Sequence, residues 1–172
     1  MIQISRSPFK SFIKKAIKGL FVSFIFLPIL SSKPKVNLAE KLIVADDIYR
    51  IRAVVSQWIA DPKIQSILLT GGTGFTGRDS TPEAVAVLLD KTIEGFGELF
   101  RMLSYDEIGT STVQSRALAG LANETLIFCM PGSTGACKTA WGKIIREQLD
   151  SRHQPCNFVG VLKARADQLD RC

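Results

Sequence analysis

Twice in this chain an apolar run stops at a glycine-rich turn that leads directly into helix-starting residues. The first occurrence is "IQSILLTGGTGFTGRDSTPEA" (64–84) and the second "TLIFCMPGSTGACKTAW" (125–141). Short runs with β-branched residues read as buried strands. Glycines after a strand let backbone N–H groups converge with no Cβ in the way. In the first loop Gly71, Gly72 and Gly74 supply that freedom, and Arg78 brings a fork that reaches a phosphate. Asp79 has no phosphate to bind directly; it suits Mg²⁺ or a pterin-like amide edge. The bland alternative is a tight turn with Arg78 and Asp79 as a surface ion pair. In the second loop Gly132, Ser133, Thr134 and Gly135 sit at a helix N-terminus, an anion-binding position. Two such loops at the carboxyl ends of strands in one open sheet face the same crevice, where such folds bind ligands.

The remaining elements follow the same alternation. Leu42 to Ala45 reads as a short strand, and 48–60 as an amphipathic helix with Asp47 as N-cap. After the first loop, Thr81 is the expected N-cap, Pro82 the first helical residue and Glu83 a favourable first-turn charge. Gly95 and Gly97 are expected to divide this stretch into two helices. The segment 111–122 reads as a further helix, 125–130 as a strand and 136–149 as a helix. Each strand followed by a helix implies an α/β chain with a mostly parallel sheet and helices on both faces.

Gly72-Thr-Gly74-Phe-Thr-Gly77 is a literal G-x-G-x-x-G. In a dinucleotide fold the third glycine lies inside the first helical turn. Here the helix signals begin only at Thr81, and 95–103 is helical where an acidic strand end is required. A nicotinamide dehydrogenase is thus the poorest of the readings. The second loop is not a Walker A sequence either, since Cys137 stands where the glycine before the lysine belongs.

The formal net charge of +6 is confined to the start of the chain. Residues 1–36 carry seven Lys/Arg and no acidic residue, whereas the other 136 carry 15 basic and 16 acidic ones. A neutral body has no basic face with which to neutralise phosphates, which argues against nucleic acid as a partner. Cys129, Cys137, Cys156 and Cys172 form no C-x-x-C pair, and with the single His153 give no zinc spacing. They read as reduced thiols. The basic, apolar segment 1–36 stands apart from the body. Leu20 to Leu30 is too short for a comfortable membrane span of roughly 20 residues. Three readings stand: a signal-like leader, an interfacial anchor that would touch a membrane, or an aberrant start joined to a domain.

"TGGTGFTGRDSTPEA", "FGELFRMLSYDEIGTSTVQSRALAG", "LIFCMPGSTGACKTAW" and "LDSRHQPCNF" together resemble the MoaB/Mog molybdopterin-binding family, MoaB being molybdenum cofactor biosynthesis protein B. The resemblance runs from about Asn37 to Leu162. It implies a three-layer α/β/α sandwich over 37–165, with 166–172 as a tail, assembled as a homotrimer or homohexamer in the cytoplasm. It implies molybdopterin as ligand or substrate, and a related reaction that joins it to AMP from Mg-ATP. Carried over by motif, Gly71, Gly72, Thr73 and Gly74 line the pterin or phosphate site, facing Pro131, Gly132, Ser133 and Thr134. Asp79 is implied as an essential carboxylate near the metal or pterin, with Asp46 the second acidic residue; helix capping is the alternative for Asp46 and Asp47. Ser115 and Arg116 are implied to meet the ligand at a helix start, against a capped helix with a solvated arginine. The family's opening strand and helix have no counterpart before Leu38. The first family strand is therefore expected to be missing or replaced, with Leu20 to Leu30 as the partial substitute.

Overall fold

The computed structural model describes residues 20–25 and 38–162. The remainder of the 1–36 leader and the 166–172 tail lie outside the described residues. Six strands form one sheet: β1 (Leu20–Ile25), β2 (Lys41–Val44), β3 (Ser66–Thr70), β4 (Lys91–Thr92), β5 (Leu118–Ala122) and β6 (Thr125–Met130), in the order β2-β1-β3-β6-β5-β4. The leader stretch expected to substitute for a strand does form one, between β2 and β3 and antiparallel to both.

The sheet is mixed, which corrects the expectation of a mostly parallel one. Only β3 and β6 run parallel among the described pairs; β5–β6 and β4–β5 are antiparallel. The physical cause lies in 111–122, expected as helix. Residues Gly109–Gln114 form a 3₁₀ turn, after which Leu118–Ala122 is extended. Ala and Leu favour a helix in isolation, but here close packing overrides propensity. A Cβ on Gly120 would lie 2.5 Å from Leu89 Cδ1 and 2.7 Å from the Lys91 carbonyl, so the strand must be lined with small residues. Asn123 and Glu124, at φ 46° and 57°, close the tight β5–β6 hairpin with two left-handed residues.

The helices form the outer layers of the sandwich. α1 (Ile48–Ala60) is capped as expected, Asp47 accepting from the amides of Tyr49 and Arg50. α2 (Thr81–Ala86) starts one residue earlier than expected: Ser80, not Thr81, occupies the cap position, and its side chain makes no capping bond. α3 (Glu94–Ile108) contains Gly95 and Gly97 instead of breaking at them; the break falls earlier, around β4. Gly97 is needed because a Cβ there would meet the Ala117 carbonyl at 2.7 Å. α4 (Thr134–Ala140) runs on through a π turn, Trp141–Ile145, into the short α5 (Arg146–Gln148).

Strand alternation divides the core between the two faces. Ile67, Leu69, Ile127 and Cys129 point toward α1 and α2, meeting Ile51, Val55, Trp58, Ala84 and Val85. Leu68, Leu126, Phe128 and Met130 point the other way, meeting Phe96 and Phe100 of α3 and Cys137, Ala140 and Ile145 of the α4 layer. The three-layer α/β/α sandwich is thus present. Among the described residues no helix is long and apolar enough to cross a membrane.

Candidate functional site

β3 and β6 are adjacent, parallel and in register to their last residues, with Thr70 and Met130 as Cα partners. The two glycine loops therefore leave the sheet side by side. The amide of Gly71 donates to the Met130 carbonyl at 3.0 Å, and the Thr70 hydroxyl donates to the Pro131 carbonyl at 3.1 Å. A Cβ on Gly132 would stand 3.3 Å from the Cα of Gly71, so the loops meet backbone to backbone. Gly71 and Gly72 adopt φ of 102° and 60°, the left-handed region that glycine enters at no steric cost.

The first loop is tied down by Arg116. Its guanidinium donates to the carbonyls of Thr73 (3.1 Å), Gly74 and Asp79 (3.0 Å), and pairs with Glu83. It also lies over the ring of Phe75, 5.1 Å from the centroid. Arg116 is thus neither at a helix start nor a solvated arginine; it follows the 3₁₀ turn and braces the loop. Ser115, beside it, is extended and half-buried, with its hydroxyl 3.4 Å from the Ala117 amide. Thr73 is buried, whereas Phe75 stands 71% exposed at the loop tip.

Two carboxylates flank this loop. Asp79 accepts from the hydroxyl and amide of Thr76, and a Cβ on Gly74 would come within 2.7 Å of its Oδ2. These donors, the Thr76 hydroxyl first, hold its carboxyl below the ordinary range. Asp46, just after β2, is the opposite case. Partial desolvation, then the charge of Asp79, raise its carboxyl above the ordinary value, while Arg78 pulls it down. Asp46 is therefore near enough to Asp79 to repel it. It lies over Gly72, where a Cβ would meet its Oδ1 at 2.6 Å. The helix-capping alternative belongs to Asp47; Asp46 faces the loop. Arg78 is exposed and makes its effect felt on Asp46 instead of closing an ion pair with Asp79.

In the second loop Ser133 caps α4, its hydroxyl accepting from the Ala136 amide at 3.2 Å. Ser133 and Thr134 are exposed, and Pro131 and Gly132 half-buried. Beneath them Thr139 donates to Glu107 at 3.1 Å, anchoring this helix to α3.

The structure thus gathers Gly71, Gly72, Thr73, Gly74 and Asp79 with Pro131 and Gly132 at one end of the parallel pair, and brings Asp46 over Gly72. The sequence alone did not single out Thr70, Thr76 or Phe75, and gave Glu83 only a helix-dipole role. Of these, only the Thr76–Asp79 spacing carries a local signal, that of a side-chain turn.

A family model described as a probable molybdopterin binding domain matches residues 28–151. The molybdenum cofactor biosynthesis protein B of Escherichia coli (strain K12) is 60% identical over 127 residues, covering 74% of this chain and 75% of that protein. A crystal structure of molybdenum cofactor biosynthesis protein B is similar with a TM-score of 0.61 at 48% identity, over 63% of this chain and 68% of that one. The tungsten cofactor synthesizing protein MoaB from Pyrococcus furiosus gives a TM-score of 0.56 at 38% identity, over 60% of this chain and 66% of that one. Sequence likeness across most of the chain and a common sandwich lead to one assignment: the chain belongs to the MoaB family of molybdenum cofactor biosynthesis proteins.

Proposed function

We propose that this protein binds molybdopterin in the crevice between its two glycine loops and adenylylates it with Mg-ATP. The observation that carries this reading is the in-register ending of β3 and β6, which sets the loops around Gly72 and Gly132 against each other. Gly71, Gly72, Thr73 and Gly74 on one side, and Pro131, Gly132, Ser133 and Thr134 on the other, line the space. Arg78, exposed on the loop, is the fork available to the phosphate. Ser115 is assigned a ligand contact from beside Arg116, and Arg116 serves by keeping the first loop in shape.

In the transfer, a phosphate oxygen of molybdopterin attacks the α-phosphorus of ATP and pyrophosphate leaves. The protein's part is alignment and charge compensation, with little covalent work. Among the described residues no cluster of three or more His, Cys, Asp or Glu could hold a metal. Asp46 beside Gly72 and Asp79 beside Gly74 offer two carboxylates at the same loop, which fits Mg²⁺: it keeps several waters and takes one or two carboxylates plus substrate phosphates. When bound there, Mg²⁺ would neutralise the nucleotide phosphates. The alternative is a non-catalytic pterin-binding protein.

The assembly proposed is a homotrimer or homohexamer; an exposed apolar row on α3, with Leu99, Met102 and Tyr105 at helical spacing, supports self-association. Use of ATP and molybdopterin supports a cytoplasmic location. Incubation with molybdopterin, Mg²⁺ and ATP, followed by mass spectrometry, tests the reading. Adenylylated molybdopterin and pyrophosphate are expected; binding without turnover favours the pterin-binding alternative, and absence of binding refutes both.

A further inference from the structure

The hydroxyl of Thr81 is a polar group without a structural task. Thr81 is fully buried, and its Oγ1 has no hydrogen-bond partner. It does not cap α2: the first residue outside that helix is Ser80. The Thr81 backbone is already used, its amide donating to the Gly72 carbonyl at 2.9 Å. A buried hydroxyl left without a partner is destabilising, so such groups call for an explanation.

Its position suggests one. A Cβ built on Gly72 would lie 2.3 Å from Thr81 Oγ1 and 2.6 Å from Asp46 Oδ1. Both oxygens therefore approach the same side of one glycine, a space that any side chain at position 72 would fill. Asp46 accepts no hydrogen bond among those described here, whereas Asp79 across the loop is held by Thr76. One of the loop's two carboxylates is held by donors, and the other has an unused donor on the same side of Gly72.

We propose that Thr81 is a positioning residue whose buried hydroxyl donates to Asp46 and holds that carboxylate opposite Asp79 when a divalent cation binds between them. Its complete burial keeps it from touching ligand, so it acts only through Asp46. Groups that orient a metal-holding carboxylate in this way typically set metal affinity by tenfold or more. The inference rests on the cation part of the function proposed above.

Mn²⁺ alone, titrated into the full-length protein and followed by its electron paramagnetic resonance signal, tests it. Thr81→Val keeps the shape and removes the hydroxyl; Thr81→Ser keeps the hydroxyl. The expected result is at least a tenfold weaker Mn²⁺ affinity in Thr81→Val, recovered in Thr81→Ser. The melting temperature of Thr81→Val without metal should equal or exceed that of the parent, because an orphaned hydroxyl has gone. Equal Mn²⁺ affinity in parent and Thr81→Val overturns the proposal, as does a parent that binds no Mn²⁺. A lowered melting temperature with unchanged affinity also overturns it, by showing a purely structural role. Molybdopterin binding to the parent, measured separately without metal, decides whether the broader reading stands.

Discussion

Gly132 lies so close to Gly71 that a single methyl group on it would come within 3.3 Å of the Gly71 Cα. Two loops far apart in sequence share this backbone contact, and the proposed binding of molybdopterin between them requires that closeness. In Gly132→Ala the loops must part by a few tenths of an ångström. The expected outcome is a clear loss of molybdopterin affinity with a change in melting temperature of only a degree or two, read by fluorescence titration beside thermal melts. Unchanged affinity would place the ligand elsewhere.

Gly72→Ala should be harsher. The residue sits at φ 60°, where a Cβ costs roughly 1–2 kcal/mol, and that Cβ would also displace Asp46 and Thr81. Both stability, by urea denaturation, and ligand binding should fall together.

Arg116→Lys tests the brace. A lysine ammonium cannot reproduce a fork that serves the carbonyls of Thr73, Gly74 and Asp79 at once. Stability should drop by on the order of 1–3 kcal/mol as acceptors lose their donors. Amide hydrogen exchange should accelerate within 71–81, leaving β3 and β6 protected. Uniform exchange across the domain would show that Arg116 supports the fold generally.

The two carboxylates should have opposite pH signatures. Asp79 is depressed in the folded protein, so its stabilising share is present above the ordinary value of 3.8 and disappears as pH falls below it. Asp46 is raised, so its ionised form opposes folding at neutral pH; that penalty fades as pH falls toward 3.8 and the folded protein takes up the proton first. Asp46→Asn should therefore melt higher than the parent at neutral pH, with the gap closing on acidification. Asp79→Asn should melt lower at neutral pH, and its deficit should vanish in acid. Both should lose nucleotidyl transfer. Melting curves across that pH range give the answer; a destabilised Asp46→Asn would contradict the repulsion.

Chelation separates binding from chemistry. With EDTA the protein should stay folded, since among the described residues no cluster of three or more His, Cys, Asp or Glu could hold a structural metal, and should retain molybdopterin while forming no adenylylated product. Loss of the fold, seen by circular dichroism, would count against a cation held only at the rim.

Much of the architecture is legible in the sequence because its signals are local. Asp47 caps a helix with apolar residues at regular spacing, and the runs ending at Thr70 and Met130 are strands. β5 is not legible, because "LAGLA" is chosen for thinness against Leu89 and Lys91, a demand that appears only when the chain is folded. The site divides similarly. Glycine loops announce their own geometry, so Gly72 and Gly132 are found early. The work of Arg116 is invisible beforehand, because its partners are main-chain carbonyls around 40 residues upstream. Thr81 is misread as a cap for the same reason: only its tertiary neighbours reveal that the hydroxyl is unused.

The parallel pair of β3 and β6 has a thermodynamic corollary. Because both walls of the cleft grow from strands locked in register, their conformational entropy is surrendered when the chain folds, before any ligand arrives. If molybdopterin binds there as proposed, association has little backbone ordering left to do, and affinity should track how tightly the sheet's centre is zipped. Loosening Ile127 or Leu68, neither of which reaches the cleft, should weaken the grip on a ligand they never touch.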